Sequence, residues 1–88
     1  MFRVVWVDKA LADLAVIWMA ADSVEKTTVN AAVQEIDARL MADPLGEGES
    51  RSRGRRIMFV TLLAVMFQVN SKSNSVQVLQ VKSSKRRK

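Results

Sequence analysis

The stretch Ile57-Met58-Phe59-Val60-Thr61-Leu62-Leu63-Ala64-Val65-Met66-Phe67-Gln68-Val69-Asn70-Ser71-Lys72-Ser73-Asn74-Ser75-Val76-Gln77-Val78-Leu79-Gln80-Val81 decides the fold. Its apolar run from Ile57 to Phe67 is interrupted by Thr61 and is well short of the roughly 20 residues that a membrane helix needs. It is rich in β-branched and aromatic residues, which suit a pleated, half-buried surface. Three strands are expected, at Ile57–Val60, Leu63–Val69 and Val76–Val81. The polar segment Asn70 to Ser75 is the turn of a hairpin between the last two.

Moving toward the N-terminus, Leu45 to Gly54 loses its apolar residues and contains Gly46, Gly48 and Gly54, so a loop or an edge strand is expected there. Before it, Val29, Ala32 or Val33, Ile36 and Leu40 recur at helical spacing. Asp22 and Glu25 make a capping-box start for that helix, and Asp43-Pro44 ends it, because the residue before proline is pushed out of the α region. A first helix is expected from about Lys9 to Ala21, with Asp8 as N-cap and an apolar stripe of Leu11, Leu14 and Trp18 widened by Ala10, Ile17 and Ala21. Phe2 to Val7 is the first strand. The order is strand, αα-hairpin, antiparallel β-meander: an α+β layout with the helices packed on one face of the sheet. One domain is expected over residues 1–81, with residues 82–88 as a basic tail.

The chain has 88 residues and a formal charge of +5, which hides a segregation. Residues 1–50 carry four basic and nine acidic side chains (4 − 9 = −5), whereas residues 51–88 carry ten basic side chains and no acid (+10). Such a division points to a polyanion or an acidic partner protein. The chain has no cysteine and no histidine. That excludes disulfides, Cys/His zinc sites, thiolate nucleophiles and imidazole bases, so neither metal nor organic cofactor is expected. The Val4–Val7 apolar stretch is too short for a signal-peptide core, and a cytoplasmic location is expected.

The candidate phosphate contacts are Arg51, Arg53, Arg55 and Arg56, since guanidinium forks match phosphate oxygens and stay charged. Arg56, at the start of a strand, is the member expected to be held in a fixed direction. Lys82, Lys85, Arg86, Arg87 and Lys88 extend the same field. Trp6 and Trp18 occupy core-facing positions of a strand and a helix, and Met58, Met66 and Phe67 are core or partner-facing fillers rather than a site. Glu47 and Glu49, the acids nearest the arginines, are loop carboxylates expected to pair with them or to face water.

The chain resembles the RelE/ParE family of toxins from bacterial type II toxin-antitoxin modules. The resemblance is carried by Ala10-Leu11-Ala12-Asp13-Leu14-Ala15 leading to Trp18, by Ile36-Asp37-Ala38-Arg39-Leu40 before Asp43-Pro44, and by Gly54-Arg55-Arg56-Ile57. It continues through Leu62 to Val69 and Val76 to Val81, spanning nearly the whole chain. It implies a co-encoded antitoxin with an acidic segment, and a target that is ribosome-associated RNA, with translation inhibited, or, in the ParE branch, DNA gyrase, with no small-molecule substrate and no membrane. The remaining alternative is an inactive family member serving as a protein- or nucleic-acid-binding module. If RNA is cleaved, the ribose 2′-hydroxyl would be the nucleophile, with Arg56 and Lys82 or Lys85 stabilising charge. The mRNA-cleaving relatives carry an arginine in the strand that here reads Leu63-Ala64-Val65-Met66-Phe67, and an Arg plus a Tyr or His after the final strand. Here Ala64 and Lys82-Ser83-Ser84-Lys85 stand at those places, and the chain has no Tyr.

Overall fold

Five strands and two helices make two layers. The computed structural model describes residues 1–84; Lys85, Arg86, Arg87 and Lys88 of the expected tail lie outside the described residues. The elements are β1 (Arg3–Trp6), α1 (Asp8–Ala20), α2 (Ser23–Ala42), β2 (Glu49–Ser50), β3 (Arg55–Val60), β4 (Leu63–Asn70) and β5 (Ser75–Ser83). They form one sheet of order β1-β5-β4-β3-β2. β2, β3, β4 and β5 pair antiparallel, and β1 closes the far edge parallel to β5. The segment expected to be a loop or an edge strand is both, with short 3₁₀ turns at Pro44–Gly46 and Ser52–Gly54 on either side of β2.

Local chemistry sets the element boundaries. Asp22 accepts from the Glu25 N–H at 2.8 Å while Glu25 accepts from the Asp22 N–H at 3.2 Å, so the expected capping box starts α2. Pro44 stops it and opens the following 3₁₀ turn. The cap of α1 differs from expectation: Val7 holds the N-cap position, and Asp8 is the first helical residue, where a carboxylate favours the positive end of the helix dipole. In the β4–β5 turn, Asn70 Oδ1 accepts from the N–H groups of Lys72 and Ser73, a side-chain substitute for backbone turn bonds.

The core lies between the layers. Ala10, Ala32, Ile36 and Leu40 of the helices meet Met58, Val60, Leu63, Val65, Phe67, Val76, Val78 and Val81 of the sheet. α1 comes close to β5 because Ala10, fully buried, offers only a methyl group. Trp18 and Leu11 are not core residues: they are 40% and 50% exposed, on the side of α1 that turns toward α2, and the Lys26 ammonium sits 4.5 Å from the centre of the Trp18 ring. Trp6 is structural, as expected, its indole N–H donating to Asp37 Oδ1 at 2.8 Å. β5 runs two residues past the expected end at Val81, so Lys82 and Ser83 belong to the sheet, and the Ser84 N–H donates to the Leu62 carbonyl at 2.8 Å. Among the described residues, no helix is long and apolar enough to cross a membrane.

Candidate target-binding face

The helices cover one face of the sheet and leave the other open. Because side chains alternate along a strand, the register assigns residues to this open face in rows. Glu49, Ile57, Met66 and Gln80 form one row across β2, β3, β4 and β5. Phe59, Ala64 and Lys82 form the next, and Arg55, Gln68, Gln77 and Val5 form a third that reaches β1. Arg3 and Ser75 lie beyond it. The centre of the face is apolar and its margins are cationic.

Exposure agrees with this assignment. Arg3, Arg55, Gln77 and Lys82 are exposed, Ile57, Ala64 and Met66 are half-buried, and Phe59 is 60% exposed. Ile57, Ala64, Met66, Gln80 and Lys82 line a shallow hollow beside it. Opposite Met66 and Phe67 of β4 the register shifts by one, leaving Leu79 of β5 as the extra residue of a β-bulge between Val78 and Gln80. Met66 is therefore a surface residue, whereas Met58 and Phe67 are in the core.

The alternation separates Arg55 from Arg56, so the structure does not bring the two together on one face. Arg56 pairs with Phe67 and with Ser50, on the helix-covered side. Its Nε donates to the Glu47 carbonyl at 2.9 Å, its Nη1 to Ser50 Oγ at 3.1 Å and its Nη2 to the Gly48 carbonyl at 3.3 Å. The guanidinium is held firmly, as expected, but by the chain's own loop. Arg56 and Lys82 therefore stand on opposite faces, and the expected catalytic set is not assembled among the described residues.

Arg51 and Arg53 hang from the turn that follows β2. Arg51 Nη1 donates to Glu49 Oε1 at 3.3 Å and to the Ser50 carbonyl at 3.1 Å. Arg53 takes a left-handed backbone, φ 64°, at the tip, and its carbonyl accepts from Gln68 Nε2 at 3.4 Å. Glu49 thus pairs with a neighbouring arginine of the cluster, as expected, whereas the Glu47 carboxylate lies 3.9 Å from Arg39 of α2. Among the described residues, Glu49 is the single carboxylate on any strand. It is three strand spacings, about 14 Å, from the β5 row that holds Gln80.

A second apolar surface lies on the helices. Leu11, Leu14, Trp18, Val29 and Val33 line a groove between α1 and α2, and Val16 and Met19 are exposed farther along α1. Among the described residues, no group of three or more His, Cys, Asp or Glu side chains converges as a metal site would require.

No protein-family model matches the chain, and no curated protein matches it in sequence. Solved structures do match in fold. The RelBE2 toxin-antitoxin complex from Mycobacterium tuberculosis gives a TM-score of 0.76 at 18% identity, covering 93% of this chain and 90% of that one. The chromosomal ParDE system from P. aeruginosa gives 0.66 at 22% identity, covering 97% and 98%. The isolated E. coli RelE toxin gives 0.65 at 13% identity, covering 100% and 89%. The chain has the RelE/ParE-type fold that the resemblance implied.

Proposed function

We propose that this chain is the toxin-type subunit of a type II toxin-antitoxin module, and that it inhibits translation by binding ribosome-associated RNA on the open face of its sheet. The observation that carries this reading is the composition of that face: Arg3, Arg55 and Lys82 around an exposed Phe59, with Glu49 at the edge already engaged by Arg51. Cations supply phosphate affinity and the exposed aromatic supplies a surface for bases. The fold supports the module assignment. The cognate antitoxin is proposed to use the exposed apolar side chains of α1, since exposed apolar surface of this kind marks a protein interface.

Occupancy of the RNA, rather than cleavage, is the proposed mode. Attack by a ribose 2′-hydroxyl needs a group to take its proton and another to protonate the leaving oxygen. The chain has no imidazole or phenol, and the one strand carboxylate is paired and remote from Lys82. Lys82 and Arg55 suit electrostatic holding without proton transfer.

Primer extension on a reporter message in a translating bacterial extract tests this. The expected result is arrested protein synthesis with an intact message. Ribosome-dependent breaks would show cleavage and refute the occupancy mode. Unaffected translation together with inhibited DNA supercoiling would favour DNA gyrase as the target, a second reading that the missing acid–base pair and the apolar centre of the face also support.

A further inference from the structure

We infer that Phe59 is a base-stacking platform that makes the open face selective for single-stranded over double-stranded RNA; this rests on the RNA-binding reading above. Phe59 is the one aromatic residue among the described residues on the open face, and at 60% exposure its ring is not consumed by packing. A large apolar side chain on a strand ordinarily packs against its cross-strand neighbour. Here that neighbour is Ala64, whose methyl group leaves the β4 side of the ring uncovered. Next in the same row is Lys82, exposed on β5. Aromatic, methyl and ammonium thus follow one another over two strand spacings, about 10 Å.

Such a row suits an unpaired nucleotide, with its base laid on the ring and a neighbouring phosphate at the ammonium. The hollow lined by Ile57, Ala64, Met66 and Gln80 continues the apolar floor beneath it. Gln80 contributes an amide that both donates and accepts hydrogen bonds. A duplex keeps its bases stacked inside and presents only phosphates and groove edges, so it would engage Lys82 and Arg55 but not the ring. Charge selects a polyanion; the uncovered ring selects one whose bases are free.

The test is fluorescence anisotropy of the purified full-length chain with a labelled, unstructured single-stranded RNA of about 12 nucleotides and with a blunt duplex of the same sequence. Phe59→Ala, Phe59→Trp and Lys82→Ala are compared, with circular dichroism to verify folding. The expected result is tighter binding to the single strand, a loss of roughly 5- to 100-fold for Phe59→Ala with the salt slope unchanged, and retention in Phe59→Trp. Lys82→Ala should instead lower the salt slope by about one. Equal binding of both RNAs, with Phe59→Ala as tight as the parent, would overturn the platform and leave an RNA grip made of phosphate contacts. No binding of either RNA would refute the RNA reading itself.

Discussion

Arg55 and Arg56 are adjacent and chemically identical, yet the pleat of β3 sends them to different environments. Arg55 faces solvent on the open side; Arg56 satisfies two loop carbonyls and a hydroxyl. Hydrogen bonds from a charged group contribute about 1.5–3 kcal/mol each when well buried, and this one is half-buried. Arg56→Ala should therefore lower stability by about 1–3 kcal/mol in urea unfolding, while the folded fraction keeps its RNA affinity. Unchanged stability with lost affinity would return Arg56 to the binding site. The cluster was legible in the sequence because consecutive arginines are visible as such. Its division was not, because the face of each residue depends on the strand's register, which is fixed by the pairing of Arg56 with Phe67 and Ser50 across both neighbouring strands.

At the scale of elements, Asp13 ties α1 to β5 beside their apolar contact. Its carboxylate accepts from Lys9 Nζ at 2.8 Å and from the Val81 N–H at 3.1 Å, and these bonds, that from Lys9 first, hold its pKa below the ordinary value. A depressed carboxylate pKa means that the unfolded chain binds more protons in the window between the two values. The stability from this joint is therefore present above the unfolded value of about 3.9 and lost as pH falls through the folded one. Asp13→Asn should narrow the stability gap to the parent in acid relative to neutral pH, measured by urea unfolding at several pH values. A gap independent of pH would show that Asp13 acts through packing alone. β2 makes a similar demand at Gly48, which has φ 69° and where an added Cβ would strike the Ile57 carbonyl. Gly48→Ala should cost more than the ~1 kcal/mol of a simple left-handed penalty, seen as a lowered urea midpoint.

Most elements were legible: capping box, proline stop, alternating strands and a polar turn are all local signals. The buried face of α1 was misjudged because Leu11-Leu14-Trp18 and Ala10-Leu14-Ile17 are both helical stripes on one apolar helix. Hydrophobicity favours the first; close approach to β5, which only alanine permits, selects the second. The parallel pairing of β1 with β5 joins distant parts of the chain, and the end of β5 at Ser83 is set by its pairing with Leu63 at the start of β4; local pattern encodes neither.

At the scale of the molecule, the charge segregation becomes a division between layers. The acids stand mainly on the helices and the bases on and around the sheet, with the open face almost free of carboxylates. This was legible in the sequence as a sum of charges, but the apolar centre bearing Phe59 was not, because an exposed and a buried strand residue look alike in a run of hydrophobic residues. Binding through this face should weaken steeply with salt, since each neutralised phosphate releases counterions.

The most direct test of the account is charge reversal confined to that face. Arg55→Glu with Lys82→Glu would be compared for translation inhibition in a bacterial extract with Lys26→Glu plus Lys72→Glu, which changes net charge equally but lies on α2 and in the β4–β5 turn. Both proteins should be folded by circular dichroism. The account predicts that the open-face pair abolishes inhibition and RNA binding while the control pair retains both. Full inhibition by a folded Arg55→Glu, Lys82→Glu protein would contradict it.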